Sequence, residues 1–226
     1  MKNLYQKING SQYNRIFVVG DLHGCFDALQ KEMWAVQFNT ETDLIISVGD
    51  LIDRGTQNVE CLRLLKEPWF KAVLGNHEVM ALNALSSELD SEESNLAYYN
   101  WFSNGGSWIM DITEEQKPEV LELFGLVAEL PGIIEISVDD KTIVVCHADY
   151  PSNQYEFNKP IDENTLIWGR GRIVLNQNKK GTVIEGADEF YFGHTPVKEP
   201  TKFYNQNYID TGAVFPVGQL SMIQIK

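Results

Sequence analysis

Short runs of mostly apolar residues alternate with amphipathic segments over the first third of the chain. The runs occupy residues 16–19, 44–48 and 70–74, and a glycine follows each of them directly. The segments between the runs carry apolar residues at helical spacing: Phe26, Leu29, Met33 and Val36 in the first, and Val59, Leu62 and Leu65 in the second. This alternation is typical of a βαβαβ unit whose strands are buried on both faces.

The remaining two thirds of the chain predict more strands than helices. One helical pattern covers residues 119–130, and the polar, acidic stretch 86–95 has the composition of a mobile surface loop. Strand-like runs follow at residues 133–138, 142–146, 190–192, 208–209 and 220–225, the first two forming a hairpin. No linker or repeat interrupts the chain, so we expect an α/β fold with a second, β-rich layer, in a single domain over residues 1–226.

The charge of the chain narrows the choice of partners. Net charge is −14 at pH 7, with only 18 Lys and Arg residues. A nucleic-acid-binding protein needs a basic footprint, so we expect no nucleic acid partner. The acidity also opposes phosphate-bearing substrates, unless bound divalent cations invert the local field.

The three cysteines are too far apart to suggest a disulfide framework or a zinc knuckle. Cys25, Cys61 and Cys146 form no Cys-x-x-Cys pair. No apolar stretch approaches the ~20 residues that span a bilayer, and residues 1–5 lack the apolar core of a signal peptide. We therefore expect a cytoplasmic protein with reduced thiols and no membrane partner.

All four histidines lie in short polar motifs. The motifs are Gly20-Asp21-Leu22-His23-Gly24, Gly75-Asn76-His77-Glu78, Cys146-His147-Ala148-Asp149 and Gly193-His194-Thr195, with Gly49-Asp50-Leu51-Ile52-Asp53-Arg54-Gly55 between the first two. Most of them follow a predicted strand directly. Open α/β sheets bind ligands in the crevice beyond the carboxyl ends of their strands, so we expect these motifs to meet there.

Several of these side chains suit a metal centre. Asp21 and His23 alternate in an extended segment, so both can reach one cation, and Asp50 on the neighbouring strand can bridge two. Asn76 offers an amide oxygen, and the remaining histidines, His147 and His194, can complete a second site. Such a ligand set suits Mn²⁺, Fe or Zn²⁺, and two cations about 3.5–4 Å apart can clamp a phosphoryl group during in-line displacement.

Each motif also has a structural interpretation. A lone Asp-x-His is weak evidence for a ligand pair, Asn76 could serve only as a helix N-cap, and Glu78 could serve only to favour the helix dipole. The five fixed residues of Gly-Asp-x-x-Asp-Arg-Gly, however, occur by chance about once in a million windows at roughly 6% usage per residue. Because all five motifs occur together and in order, we favour the metal centre.

The motifs at residues 20–24, 49–55 and 75–78 resemble those of the calcineurin-like metallophosphoesterases, in the phosphoprotein phosphatase branch. The resemblance extends over nearly the whole chain from about Arg15. It implies two mixed β-sheets packed face to face and flanked by helices. It also implies two divalent metal ions, for which we expect Mn²⁺, with Fe or Zn²⁺ as alternatives.

The resemblance also implies a role for each matching residue. The implied ligands are Asp21, His23 and the bridging Asp50 at the first metal, and Asn76, His147 and His194 together with Asp50 at the second. The implied catalytic group contains His77 as the acid, Asp53 as its orienting partner, and the phosphate-binding Arg54 and Arg170, with Asn76 also facing the phosphate. Arg172 is an alternative to Arg170, because glycines flank Arg170 on both sides; its spacing from Trp168 favours Arg170.

The resemblance implies a phosphatase that hydrolyses phosphoserine and phosphothreonine in proteins, with phosphotyrosine as a further candidate. A metal-bridging hydroxide would attack phosphorus directly, and no regulatory subunit is evident. One alternative is a symmetrical diadenosine tetraphosphate hydrolase, which Asp53 disfavours. Another is an inactive metal-dependent binding module, in which His77 and the arginines would be superfluous.

Overall fold

The computed structural model describes residues 3–86 and 92–226. Seven helices lie within these residues: α1 (Phe26–Ala35), α2 (Asn58–Arg63), α3 (Asn76–Ser86), α4 (Glu92–Ser103), α5 (Lys117–Val127), α6 (Glu163–Trp168) and α7 (Gly171–Gln177). Ten strands accompany them: β1 (Tyr5–Asn9), β2 (Ile16–Val19), β3 (Leu44–Ser47), β4 (Phe70–Ala72), β5 (Ile133–Val138), β6 (Lys141–Cys146), β7 (Glu189–Phe192), β8 (Thr201–Phe203), β9 (Gln206–Tyr208) and β10 (Met222–Gln224).

The first third of the chain forms the predicted βαβαβ unit. Strands β2, β3 and β4 are parallel neighbours, with Val18 opposite Ile46 and Ile46 opposite Lys71. Strand β10 adds an antiparallel edge, which gives the order β10-β2-β3-β4. Every residue of β2 and β3 is buried, as their uninterrupted apolar runs predict.

The second layer is a mixed sheet of six strands in the order β1-β5-β6-β7-β9-β8. Strands β5 and β6 form the predicted antiparallel hairpin, and β7 lies parallel to both β6 and β9. Strand β1 pairs in parallel with β5 and was not predicted, because its sequence Tyr-Gln-Lys-Ile-Asn contains few apolar residues. Its Ile8 nevertheless packs into the core.

Alternate residues of each strand pack on opposite sides of the sheets. Ile16 and Val18 of β2 belong to the same buried cluster as Ile134 and Ile136 of β5, which contains residues of both sheets. The intervening residue Phe17 belongs to a cluster with helices α1, α2, α3 and α5. A third cluster joins the outer side of the six-stranded sheet to α6 and α7. The two sheets therefore pack face to face with helices outside, which confirms the predicted fold class.

The middle of the chain differs from the prediction in one respect. The acidic stretch 86–95 was expected to be a loop, but its last residues begin helix α4 at Glu92; residues 87–91 lie outside the described part. The aromatic segment that follows continues α4 to Ser103 and then forms a 3₁₀ turn, Gly106–Asp111. Within the described residues, no helix combines the length and apolar character needed to cross a bilayer.

Candidate metal centre and active site

The motif residues lie just beyond the carboxyl ends of strands: in the loops after β2 and β3, at the start of α3 after β4, and after β6 and β7. Several of these segments use left-handed backbone. The φ angles are +44° at His23, +50° at Asp50, +76° at Asp53 and +71° at Arg54. Non-glycine residues adopt this conformation rarely, and such strain is concentrated at functional sites. A Cβ at Gly49 (φ +98°) would lie 2.9 Å from His147 Nδ1, so glycine is needed to let this histidine approach the loop.

One cluster of ligand atoms contains His23, Asp50 and His77, all buried and within 4.8 Å of one another. His23 Nδ1 lies 2.9 Å from the carbonyl oxygen of Ile52, to which it donates. The other ring nitrogen, Nε2, is therefore an acceptor, 3.7 Å from Asp50 Oδ2. Burial lowers the pKa of His23 to about 3, so its ring is neutral at pH 7, as a metal ligand must be.

A second cluster contains Asp50, His147 and His194. His147 Nδ1 faces the carbonyl oxygen of Val48 at 2.8 Å, which leaves Nε2 pointing inward. Asn76 Oδ1 lies 2.9 Å from His147 Nε2 and 2.8 Å from His194 Nδ1. Burial lowers the pKa of both histidines, to about 3 for His194, so both rings are neutral at pH 7. This concentration of acceptor atoms is what a cation requires.

Asp50 belongs to both clusters. Its Oδ2 faces His23, while its Oδ1 lies 3.4 Å from His147 Nε2. Burial raises the pKa of Asp50, but the neighbouring histidines, His147 first, outweigh burial and hold it below its usual value. The backbone N–H of His77 donates to Oδ1 at 3.0 Å. A charged carboxylate is thus fixed between the two groups of imidazoles, in the position of a bridging ligand.

Asp21 lies beside the centre but outside both three-residue clusters. Its carboxylate accepts the backbone N–H of His194 at 3.0 Å. Burial raises the pKa of Asp21, and the nearby carboxylates of Asp210 and Asp50 raise it further. Asp210 is itself buried and was not singled out in the sequence. The two acids add negative charge next to the clusters, which a cation would offset.

His77 faces a second carboxylate on the side away from Asp50. Its Nδ1 donates to Asp53 Oδ2 over 2.7 Å. Trp101 Nε1 reaches both oxygens of Asp53 at 3.0 Å, and Trp108 Nε1 reaches Oδ1 at 2.8 Å. Burial lowers the pKa of His77, but Asp50 and Asp53 outweigh burial and raise it above its usual value. This arrangement favours an imidazolium whose Nε2 faces the centre.

Glu78 connects the loops that carry these groups. Its carboxylate accepts backbone N–H groups from Asp50 at 2.9 Å, Leu51 at 2.8 Å and Gly75 at 3.0 Å. The sequence suggested only a helix-dipole effect for this residue. The structure adds that Glu78 ties the loop after β3 to the start of α3. Its donors Asp50 and Leu51 lie in that loop, whereas Glu78 itself lies in the first turn of α3.

Two arginines approach the clusters with their guanidinium groups. Arg54 Nη1 lies 2.6 Å from His23 Nε2, which places a positive charge against the ligand atoms. Arg170 reaches the loop of the second cluster, with Nε 3.3 Å from Thr195 Oγ1 and Nη2 3.4 Å from the carbonyl oxygen of His194. Both contacts place the guanidinium beside a proposed ligand, where a phosphoryl oxygen would be held.

Arg172, the alternative to Arg170, is engaged elsewhere. Its Nε and backbone N–H donate to the carboxylate of Asp149 at 3.1 and 3.0 Å. Its Nη2 donates to the carbonyl oxygens of Tyr150 at 2.9 Å and Ser152 at 3.0 Å, and its Nη1 to Asn153 Oδ1 at 3.0 Å. A side chain held by so many partners fastens the loop after β6 to α7.

The donor set fits a pair of divalent metal ions. It offers imidazole nitrogens, carboxylate oxygens and an amide oxygen, with no thiolate, and Asn76 Oδ1 lies within 2.9 Å of ring nitrogens of both His147 and His194. Mn²⁺, Fe and Zn²⁺ all accept such ligands. Two metal-ligand clusters that share a carboxylate, at the ends of the strands of a two-sheet α/β sandwich, define a metal-dependent phosphoesterase.

The chain belongs to the calcineurin-like phosphoesterase family, whose sequence profile matches residues 14–210. It is 44% identical over 225 residues to serine/threonine-protein phosphatase 1 of Salmonella typhimurium, with 100% of this chain and 98% of the relative covered. It is 42% identical over 222 residues to serine/threonine-protein phosphatase 2 of Escherichia coli, with 98% of each covered.

The similarity of this chain to solved structures shows a shared fold and no more than that. A crystal structure whose protein is provisionally described as a diadenosine tetraphosphatase superposes with a TM-score of 0.65 at 21% identity, covering 98% of both chains.

Proposed function

We propose that this protein is a dinuclear-metal protein phosphatase that hydrolyses phosphoserine and phosphothreonine monoesters. The observation that carries the proposal is that His77, whose Nδ1 is hydrogen-bonded to Asp53, belongs to one of two ligand-atom clusters that share Asp50. Full-length relatives named serine/threonine-protein phosphatases support a protein substrate. We further propose Mn²⁺ as the native metal, and catalysis by this chain without a regulatory subunit.

We assign each ligand to one of two sites, except Asp50, which the sites share. Asp21, His23 and Asp50 would hold the first metal, and Asp50, Asn76, His147 and His194 would hold the second. When bound, the two cations supply positive charge to the phosphoryl oxygens and activate a water molecule for attack on phosphorus. The chain's part is to present neutral imidazoles and charged carboxylates, which the burial of these side chains and their backbone contacts favour.

The phosphoryl group is held by Arg54, Arg170 and the Asn76 amide. The planar guanidinium groups donate paired hydrogen bonds to nonbridging oxygens. His77 then donates a proton from Nε2 to the leaving serine or threonine oxygen, while Asp53 keeps Nδ1–H in place. General-acid catalysis of this kind contributes about 10²–10⁴-fold to the rate. His77 and the arginines are therefore proposed as catalytic residues, and Asp53 as the group that positions the acid.

Two alternatives are disfavoured, the first by the extent of the similarity and the second by the geometry of the site. Relatives named symmetrical bis(5'-nucleosyl)-tetraphosphatase match 30% of this chain, at 46% identity over 71 residues, whereas the serine/threonine-protein phosphatase relative matches 100% of it at 44% identity. An inactive metal-binding module has no use for a buried acid–carboxylate pair with a 2.7 Å hydrogen bond.

The free, mostly buried thiols suit a reducing compartment, so we propose that the enzyme acts in the cytoplasm.

The proposal is tested by assaying one preparation on three substrates. A phosphoserine peptide, a phosphotyrosine peptide and diadenosine tetraphosphate are compared with Mn²⁺ and with a chelator. We expect phosphate release from the phosphoserine peptide at the highest kcat/KM, only with metal. Faster cleavage of diadenosine tetraphosphate would overturn the protein substrate, and full activity in protein shown to be metal-free would overturn the mechanism.

A further inference from the structure

A cavity of about 450 Å³ opens beside Arg54, between α2 and the 3₁₀ turn Gly106–Asp111. Arg54 and Gly55 form its wall towards the metal centre, and Arg54 Nη1 lies 2.6 Å from His23 Nε2. The backbone N–H of Arg54 also donates to the carbonyl oxygen of Gly105, another lining residue, at 3.3 Å. The cavity thus begins at the arginine that we propose for phosphate binding.

Part of the cavity wall is apolar and well fixed. Val59, Trp108 and Ile112 contribute this part. The indole of Trp108 stacks on Phe124 at an interplanar angle of 18°, and its Nε1 donates to Asp53 at 2.8 Å. A wall held from two sides keeps its shape when a ligand enters, so the cavity is preformed for an aliphatic or aromatic segment.

The charged groups of the cavity leave two carboxylates available. Arg63 lines the wall, but both ends of its guanidinium fork are bound by Glu119, at 2.8 and 2.7 Å. Glu60 and Asp111 also line the wall, and neither forms an ion pair within 4.0 Å in the described part of the chain, although Glu60 helps to raise the pKa of Arg63 after the larger effect of Glu119. These carboxylates can pair with a cationic group of a ligand, and the net charge of −14 on the whole chain also favours cationic ligands.

An apolar wall with carboxylates nearby matches one kind of side chain. Lysine and arginine bury their methylene stems on apolar surface and keep the charged head at polar groups. We propose that this cavity receives a lysine or arginine side chain of the substrate polypeptide, close in sequence to the phosphorylated residue. The inference rests on the proposed protein phosphatase function and adds a substrate preference to it.

The first experiment is a set of phosphoserine peptides that differ at one position at a time. Lysine, alanine or glutamate is placed at each of the three positions on either side of the phosphoserine, and kcat/KM is measured. At one or two positions we expect lysine to exceed alanine by about 3- to 10-fold, from partly solvated charge pairs and a buried stem. Glutamate there should be slower than alanine.

Variants then locate the preference in the cavity. Asp111→Asn and Glu60→Gln should each reduce the lysine preference, and Asp111→Lys should favour the glutamate peptide instead. Activity on nitrophenyl phosphate, which has no flanking side chain, should stay at the level of the unmodified enzyme. Asp140→Asn removes the same charge at the exposed β5–β6 turn and should leave the preference unchanged.

Each outcome has a defined meaning. If the peptides are all hydrolysed at equal rates, or if the lysine preference survives the double variant Asp111→Asn with Glu60→Gln, the cavity proposal is wrong while the phosphatase function stands. If no phosphopeptide is hydrolysed and diadenosine tetraphosphate is, both proposals fail. A lysine preference that is lost in the cavity variants but kept in Asp140→Asn supports the cavity.

Discussion

Two of the three side-chain donors to the buried carboxylate of Asp53 are neutral. Besides His77, its partners are the indole N–H groups of Trp101 and Trp108, and no lysine or arginine pairs with it within the described chain. An indole N–H can only donate, so Asp53 must act as the acceptor for His77 Nδ1 as well. We therefore predict that Trp101 and Trp108 orient the proposed acid, although neither contacts the metal-ligand clusters.

The perturbation is Trp108→Phe, which removes the N–H group and keeps an aromatic ring. Asp53 Oδ1 then loses its 2.8 Å donor and keeps only a share of Trp101 Nε1, which lies 3.0 Å from both oxygens. A hydrogen bond to a charged group contributes about 1.5–3 kcal/mol. If that whole amount is lost in the transition state, the rate falls by about 10- to 100-fold.

The assay compares two leaving groups. A serine oxygen needs its proton in the transition state, whereas nitrophenolate leaves readily as an anion, so Trp108→Phe should slow the phosphoserine peptide much more than nitrophenyl phosphate. His77→Asn should show the same difference in larger form. Trp34→Phe is the matched control, because Trp34 is 83% exposed. Equal losses on both substrates, with metal content unchanged, would refute the argument.

Three further predictions follow from the contacts. Asp50→Asn should lower metal content at both sites together, as measured by elemental analysis, because each oxygen of Asp50 faces a different cluster. Arg170→Ala should weaken inhibition by inorganic phosphate and leave the free energy of unfolding near that of the unmodified enzyme. Arg172→Ala should do the opposite. It should lower the free energy of unfolding by about 1.5–3 kcal/mol, because charged hydrogen bonds are lost, and leave phosphate inhibition nearly unchanged. Burial raises the pKa of Asp43, but its hydrogen bonds to Arg15 and to a backbone N–H outweigh burial and hold the pKa below its usual value. The ion pair of Asp43 with Arg15 therefore stabilises the fold fully above about pH 3.9, the usual pKa of an aspartate. This stabilisation is lost as the pH falls through the lower pKa of the folded state. Denaturant unfolding of Asp43→Asn between pH 7 and pH 3 should show a weaker loss of stability; an unchanged pH profile would contradict the assignment.

The sequence pattern predicted the elements whose burial is continuous or periodic. Strands β2 and β3 and helix α1 were readable because every strand residue is buried and the helix has one apolar face. Strand β1 was not, because its stability depends on pairing with β5, which lies about 130 residues away in sequence. Helices α6 and α7 are short and carry polar residues, so no periodic pattern distinguished them from loops.

For the site, the sequence supplied the residues but not their partners. The motifs drew attention to Asp53 and His77, yet nothing in the motifs pointed to Trp101, whose N–H reaches Asp53 from 48 positions away. The aromatic run before Asn104-Gly105-Gly106 was the available clue, and its composition is equally typical of a core segment. Glu78 was interpreted through its own helix because its donors Asp50 and Leu51 become neighbours only when the strands pair.

The proposed ligands come from both β-sheets. His23 and Asp50 follow strands of the four-stranded sheet, whereas His147 and His194 follow β6 and β7 of the six-stranded sheet. A cation in the second cluster would therefore cross-link the two halves of the sandwich, and its binding energy would oppose their separation. At a free metal concentration 100 times the dissociation constant, this linkage adds about 2.7 kcal/mol to the free energy of unfolding. Metal supply in the cell would then govern how long the enzyme stays folded as well as how fast it works.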